Sequence, residues 1–398
     1  MENFEFYAPT RVVFGRGTEK QAGKLLREYG AKKVLLHYGG NSAMKSGLLG
    51  RVEESLAQEG IAYLKFGGVQ ANPTLSLAKK GIALCLEEKV DFVLAVGGGS
   101  VIDSAKCIAD GAGNPEQDVW DFFLQKAAPK RALPVGAILT LSASGSEMSA
   151  SCVISNEAEG LKRGFNSTTH RPVFSICNPE LTFSVSKFQT GCGTVDIMMH
   201  TMERYFGPSK DSPLTDRLAE GLLKTVIEAG TAADQKPNDY EARASLMWAG
   251  SLSHNGLTGA GRNYVMQVHQ LEHELSGMYP EIAHGAGLSA LWASWARFTC
   301  PADPSRFAQF AVRVWNIDMD FENPMRTAQQ GIDRTEAFFK SLGMPVHLKA
   351  LHVDPSRIPE LAEKCTNYGK RKLAGIRELG KAEMMEIYQM AMEAAEGK

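Results

Sequence analysis

Through the first ~185 residues, short aliphatic runs alternate with amphipathic helical stretches, and this alternation limits the fold more than any other feature. Lys33-Val34-Leu35-Leu36-His37, Ala62-Tyr63-Leu64-Lys65-Phe66 and Phe92-Val93-Leu94-Ala95-Val96 read as strands. Between them Glu19 to Tyr29, Leu48 to Gln58 and Leu75 to Glu88 read as helices, the first stopped by Gly30. Phe4 to Phe14 also reads as strand-like. Strands and helices at this spacing predict a parallel, doubly wound sheet.

The strand ending at Val96 runs into Gly97-Gly98-Gly99-Ser100-Val101-Ile102-Asp103 and then a helix. Glycines there let a backbone approach a pyrophosphate, and the helix start presents free N–H groups and a positive dipole end. Gly97, Gly98, Gly99 and Ser100 are therefore expected to bind a dinucleotide. Asp103 is expected near the cofactor ribose and among the catalytic groups, with helix capping as its alternative.

From about Ser186 the β-branched runs disappear. Leu218, Leu222 and Val226 follow helical spacing, as do Leu288, Leu291, Trp292 and Trp295. The expected division is residues 1–185 as a dinucleotide-binding domain and 186–398 as an all-helical metal-binding and substrate domain. In the second, Asp196 and His200 stand four apart, as do His269 and His273, and His284-Gly285 follows. Residues four apart share a helix face. One carboxylate with several imidazoles suits Fe(II) or Zn(II), so Asp196, His200, His269 and His284 are the expected ligands. His273 reaches the same cavity without ligating.

Composition removes other functions. The net charge of −2 offers no field for nucleic acid and no polybasic membrane patch. No apolar run approaches the ~18 residues of a membrane span. The start, Met1-Glu2-Asn3-Phe4-Glu5, lacks the regions of a signal peptide. Seven cysteines, an odd number scattered among apolar neighbours, read as reduced thiols. A cytoplasmic protein is expected.

Five stretches together carry a resemblance: Gly67-Gly68-Val69-Gln70-Ala71-Asn72-Pro73, Gly97 to Lys106, Ser144-Gly145-Ser146-Glu147, Gly193 to Tyr205, and His269 to Gly285. The chain resembles the iron-dependent, or group III, alcohol dehydrogenases, in their branch of NADP-linked butanol dehydrogenases and aldehyde reductases. The resemblance implies a Rossmann-like domain, a helical domain and the same four metal ligands. It implies that His273 lies beside substrate, that Thr140, Leu141 and Ser144 line the nucleotide, and that Lys162 reaches the cofactor. Trp120 matches this branch too, with plain packing as its alternative. A homodimer acting on a small alcohol or aldehyde is expected. The His269 to His284 interval of 15 positions is one longer than in many members, with the extra residue near Tyr279-Pro280-Glu281.

In such a site the metal is a Lewis acid for the substrate oxygen, the cofactor carries the hydride, and His273 is suited to relay a proton. NADP(H) is expected over NAD(H). In dinucleotide folds an acid at the end of an early strand binds the ribose hydroxyls, whereas here Lys33 to His37 leads into Tyr38-Gly39-Gly40-Asn41-Ser42. Gly39 and Gly40 leave room for a 2′-phosphate, Asn41 or Ser42 can donate to it, and Lys45 adds charge. The competing readings are a polyol dehydrogenase or dehydroquinate synthase-like lyase on the same scaffold, and a nucleotide-binding regulatory protein without turnover.

Overall fold

A computed structural model describes residues 1–40, 42–209 and 212–392, and of Ser42 only the backbone. The chain divides into two compact units, Tyr7–Val185, and Met1–Phe6 together with the chain from Ser186 onward.

The first unit is built on a six-stranded parallel sheet with the order β1-β8-β5-β4-β2-β3. Its strands are β1 (Arg11–Phe14), β2 (Lys33–Tyr38), β3 (Ala62–Phe66), β4 (Phe92–Gly97), β5 (Val135–Leu139) and β8 (Phe174–Cys177). The helices are α1 (Ala22–Glu28), α2 (Ser42–Lys45), α3 (Leu48–Gln58), α4 (Leu75–Glu87), α5 (Gly99–Gly113) and α6 (Trp120–Phe123). β4 is buried at every position, which is why it reads as an unbroken apolar run. One layer of the core joins Val34, Leu36, Leu94, Val96, Ile138 and Ile176 of the sheet to Leu25, Leu26, Val52 and Leu56 of the helices.

Two local expectations are corrected, and one element is added. The extended stretch expected from Phe4 is a strand only over Arg11–Phe14. Met1–Phe6 belong with the helical unit, where Glu2 N donates to Gly261 O at 3.0 Å. The helix expected from Glu19 opens as a 3-10 turn, Thr18–Gln21, before α1. Gly30 does end that segment, with φ +78°, a left-handed conformation that glycine adopts without strain. An antiparallel hairpin, β6 (Ser151–Asn156) with β7 (Leu161–Asn166), was not anticipated. Its Gly160 turn breaks a sequence with no clean two-residue alternation.

The second unit is helical: α7 (Lys187–Tyr205), α8 (Pro213–Gln235), α9 (Tyr240–His254), α10 (Gln267–Met278), α11 (His284–Thr299), α12 (Pro304–Trp315), α13 (Pro324–Ser341), α14 (Ile358–Cys365) and α15 (Lys381–Met392). α7 is buried at every position from Thr190 to Tyr205, so the helices around it cover its whole circumference. No helix among the described residues is long and apolar enough to cross a membrane. The architecture is thus a Rossmann-like α/β unit followed by an all-α unit.

Candidate active site

The helical unit builds its site on α7. Ser186 caps the helix by accepting from Gln189 N at 3.2 Å. At the other end, Arg306 donates to Tyr205 O from Nε at 2.9 Å and Nη2 at 2.8 Å, and Arg262 reaches Arg204 O at 3.2 Å. Asp216 holds Arg306 by both oxygens, at 2.8 and 2.7 Å. These guanidinium groups satisfy carbonyls that a helix end otherwise leaves orphaned.

Asp196 and His200 lie one turn apart on this helix. α10 starts against it without a cap of its own. Glu203 of α7 serves instead, accepting from Val268 N at 2.5 Å and His269 N at 3.1 Å. That contact fixes where His269 and His273 stand. α11 then begins at His284, after a turn in which Ile282 N donates to Tyr279 O at 3.0 Å. Tyr279-Pro280-Glu281, expected from sequence to hold an extra residue, lie in the connection between α10 and α11. Gly285 lets α11 meet α7 closely: a Cβ there would lie 2.2 Å from Cys192 O.

The packing gathers three imidazoles around one carboxylate oxygen. Asp196 Oδ1 lies 3.4 Å from His200 Nδ1, 3.6 Å from His269 Nε2 and 3.8 Å from His284 Nε2. These separations exceed a hydrogen bond. Asp196 Oδ1, His200 Nδ1 and His269 Nε2 are buried with no hydrogen-bond partner among the described residues. Orphaned buried polar atoms are costly, and three converging on one point call for a cation. Ligands bound at ~2.1 Å in a tetrahedral shell stand about 3.4 Å apart, so the donor set fits a divalent transition metal.

The remaining ring nitrogens are also arranged for this. His269 Nδ1 bonds Glu203 Oε2, and His284 Nδ1 bonds Glu272 Oε2. A carboxylate on Nδ1 sets the tautomer so that Nε2 carries the lone pair. Ser276 Oγ in turn donates to Glu272, which is fully buried. Burial pushes His200 well below its ordinary pKa. Burial pulls His269 the same way, but Glu203 and Asp196 outweigh it and raise that residue to about 9. The negative charge that favours a proton on His269 equally favours a metal ion. His273 is buried one turn beyond His269, its ring 6.5 Å from that of His269 and 5.7 Å from that of His284. His254, at the end of α9, stacks edge-on to His200 at 4.1 Å.

The α/β unit places Gly39, Gly40, Gly97–Ser100 and Thr140 to Ser144 after the carboxyl ends of β2, β4 and β5, where open α/β sheets bind ligands. Tyr38 of β2 pairs with Val96 of β4, which brings Gly39 beside Gly97. Thr140 N donates to Gly97 O at 3.0 Å. Added Cβ atoms would stand 2.2 Å from Ser144 Oγ at Gly99 and 3.2 Å from Leu141 Cβ at Gly98. The loop after β5 therefore lies directly on the glycine run because that run has no side chains. Ser100 is half-buried in the first turn of α5. Gly40 is exposed, with open space where a Cβ would be. Asn41 and the side chain of Ser42 lie outside the described residues. Lys162 is buried on β7, paired with Ser155. Trp120 stacks on Phe123 at 5.3 Å and packs in an aromatic group with Phe165.

Both carboxylate oxygens of Asp103 are engaged by the protein: Oδ1 accepts from Ser146 Oγ at 2.5 Å and Oδ2 from Val153 N at 3.0 Å. Its neighbour Lys106 is fully buried. Lys106 Nζ donates to Ser146 O (2.8 Å), Ser149 O (3.1 Å) and Ser151 O (2.7 Å), and to Ser146 Oγ at 2.8 Å. Burial pushes Asp103 up and Lys106 down, and each charge opposes the other's shift. Together they hold the Ser144–Ser151 loop against α5.

Sequence reasoning passed over Glu203, Glu272, Arg204, His254 and Lys106 as site residues. Glu203 sits in the quoted run from Gly193 to Tyr205, one turn after His200, and that spacing was the available signal.

Residues 9–179 match the iron-containing alcohol dehydrogenase model, and residues 190–392 match the C-terminal model of the Fe-containing alcohol dehydrogenase family. NADH-dependent butanol dehydrogenase A of Clostridium acetobutylicum is 38% identical over 98% of this chain and 99% of its own length. The NADPH-dependent aldehyde reductase YqhD of Escherichia coli is 37% identical over 98% of this chain and 100% of its own. The crystal structure of NADH-dependent butanol dehydrogenase A from Thermotoga maritima superposes with a TM-score of 0.94 at 36% identity, covering 99% of each chain. Matched along nearly its whole length in sequence and backbone, the chain belongs to the iron-containing alcohol dehydrogenase family.

Proposed function

We propose that the protein interconverts primary alcohols and aldehydes, of the butanol and butanal class, using NADP(H) and a divalent metal, Fe(II) or Zn(II), held by Asp196, His200, His269 and His284. One observation carries the metal assignment: buried donor atoms of Asp196, His200 and His269 converge without hydrogen-bond partners among the described residues. A divalent ion bound there supplies Lewis acidity to the substrate oxygen. Glu203 and Glu272 hold His269 and His284 in the ligating tautomer. His273, in the same cluster, moves a proton to or from that oxygen. In the α/β unit Gly97–Ser100 and the Thr140–Ser144 loop bind the pyrophosphate, and Lys162 contacts the cofactor. Asp103 and Lys106 keep that loop in place. The roles of the two units follow: dinucleotide binding over residues 7–185, metal and substrate binding in the helical unit. The protein is proposed to act as a cytoplasmic homodimer.

The choice of NADP(H) rests on the end of β2. Tyr38-Gly39-Gly40 carries no acid to bind the ribose hydroxyls or repel a 2′-phosphate, and Gly40 is open to solvent. The similar proteins include both NADH- and NADPH-dependent enzymes, so the choice of NADP(H) rests on this loop of the chain's own. The test is butanal reduction by the metal-loaded protein with NADPH and NADH in parallel, repeated with Gly39→Asp. NADPH should be the better donor in the parent and lose most of its lead in the variant. Equal or better turnover with NADH in the parent removes the cofactor assignment. No turnover with either, in protein carrying about one metal per chain, removes the reaction.

A further inference from the structure

The three imidazoles of the cluster are not held alike. His269 and His284 each have a carboxylate on Nδ1, which fixes ring rotation and tautomer. His200 is turned the other way: its Nδ1 faces the cluster, 3.4 Å from Asp196 Oδ1, and no carboxylate bonds its other ring nitrogen among the described residues. Something else must fix its ring.

Two residues outside the ligand set lie against it. Arg204, buried on the next turn of α7, donates from Nη1 to the His200 backbone oxygen at 2.6 Å and to Ser253 O at 2.9 Å. It thereby ties the His200 turn to the end of α9. Its Nη2 donates to His254 Nδ1 at 3.1 Å. A guanidinium only donates, so His254 Nδ1 must carry a lone pair. That makes His254 neutral, with its proton on Nε2. The His254 ring stands 4.1 Å from the His200 ring at 64°, an edge-to-face contact. On its other side His200 meets the ring of His269 at 4.5 Å.

We propose that Arg204 and His254 form a positioning clamp for the metal ligand His200, with the neutral His254 ring as a wall that replaces the missing carboxylate. The inference rests on the metal assignment above. Arg204 sets the tautomer and place of His254, and His254 restricts rotation of the His200 ring. His200 is thus ordered by packing, while its two partner imidazoles are ordered by charged hydrogen bonds. It receives no added electron density from a carboxylate, which makes it the imidazole ligand most sensitive to loss of its neighbours.

The test compares the parent with H254A, H254F and H254Q. Cobalt(II) affinity and the cobalt d–d spectrum of the full-length protein are measured by titration, alongside thermal melting of the metal-free forms. H254A should weaken cobalt binding by about tenfold or more, the range seen when outer-shell partners are removed, and should shift the d–d bands. H254F keeps an aromatic wall and should stay within about threefold of the parent, well below that range. H254Q keeps an acceptor for Arg204 but no ring, so it should fall with H254A, and it replaces H254A if the alanine variant does not fold. Parent-like cobalt affinity and spectrum in H254Q overturn the clamp and leave the metal site standing. Loss in H254F equal to that in H254A also overturns the wall. A parent that binds no cobalt overturns the metal assignment itself, with the clamp.

Discussion

Acidification should destabilise this protein through His37, a buried residue of the sheet. His37 is fully buried at the end of β2, where its Nδ1 donates to Phe66 O at 2.8 Å and its Nε2 accepts from Ser104 Oγ at 2.9 Å. The ring also stacks on Phe66. It thus joins β2, β3 and α5 just behind the glycine loops. Burial lowers its pKa from 6.5 to about 4, against a smaller opposing effect of the Phe66 carbonyl. The unfolded chain takes up this proton below 6.5, whereas the folded chain resists it down to about 4. The stabilisation is therefore complete above pH 6.5 and is lost as pH falls toward 4. Linkage puts the loss at about 2.5 kcal/mol between about pH 8 and pH 4.5, approaching ~3 kcal/mol at lower pH. His37→Gln retains an amide that can donate to Phe66 O and accept from Ser104, yet does not titrate. Urea unfolding of both proteins across that range isolates the term, because all other titrating groups are shared. The stability of the variant should fall less steeply with acid by about that amount. Parallel curves for parent and variant would refute the reasoning.

Gly285→Ala should separate α11 from α7, since its Cβ would meet the Cys192 carbonyl at 2.2 Å. His284 is the first residue of α11, so metal content should drop in protein that still folds, read by elemental analysis. His200→Ala should lose the metal, and full occupancy in that variant would remove His200 from the ligand set. His273→Ala should keep the metal and lower turnover by about a hundredfold, as for other general acid–base groups; an unchanged rate would assign the residue to packing. Lys106→Met should strip the Ser146, Ser149 and Ser151 carbonyls of their donor and leave Asp103 without its counter-charge. A loss of about 3–5 kcal/mol, with weaker NADPH binding, is expected from calorimetry and titration.

What the sequence by itself determined are features written in local spacing. Strand–helix alternation gave the Rossmann-like unit because burial on both faces of a parallel strand leaves a continuous apolar run, as in Phe92–Val96. Asp196 with His200, and His269 with His273, are legible because four residues make one helical turn whatever surrounds them. The strand-to-helix setting of Gly97–Gly99 is legible for the same reason. What only tertiary structure decided involves groups far apart in the chain. Glu203 reaches His269 across 66 positions, Lys106 reaches Ser146 across 40, and Arg204 reaches His254 across 50. A lone glutamate, lysine or arginine in a helix most often faces water, and no periodicity separates the few that packing turns inward. The same holds for Phe4–Phe6, expected as the start of a strand but, with Met1–Asn3, settled on the helical unit. Their hydrogen-bonding partner, Gly261, is contributed by a loop more than two hundred residues away.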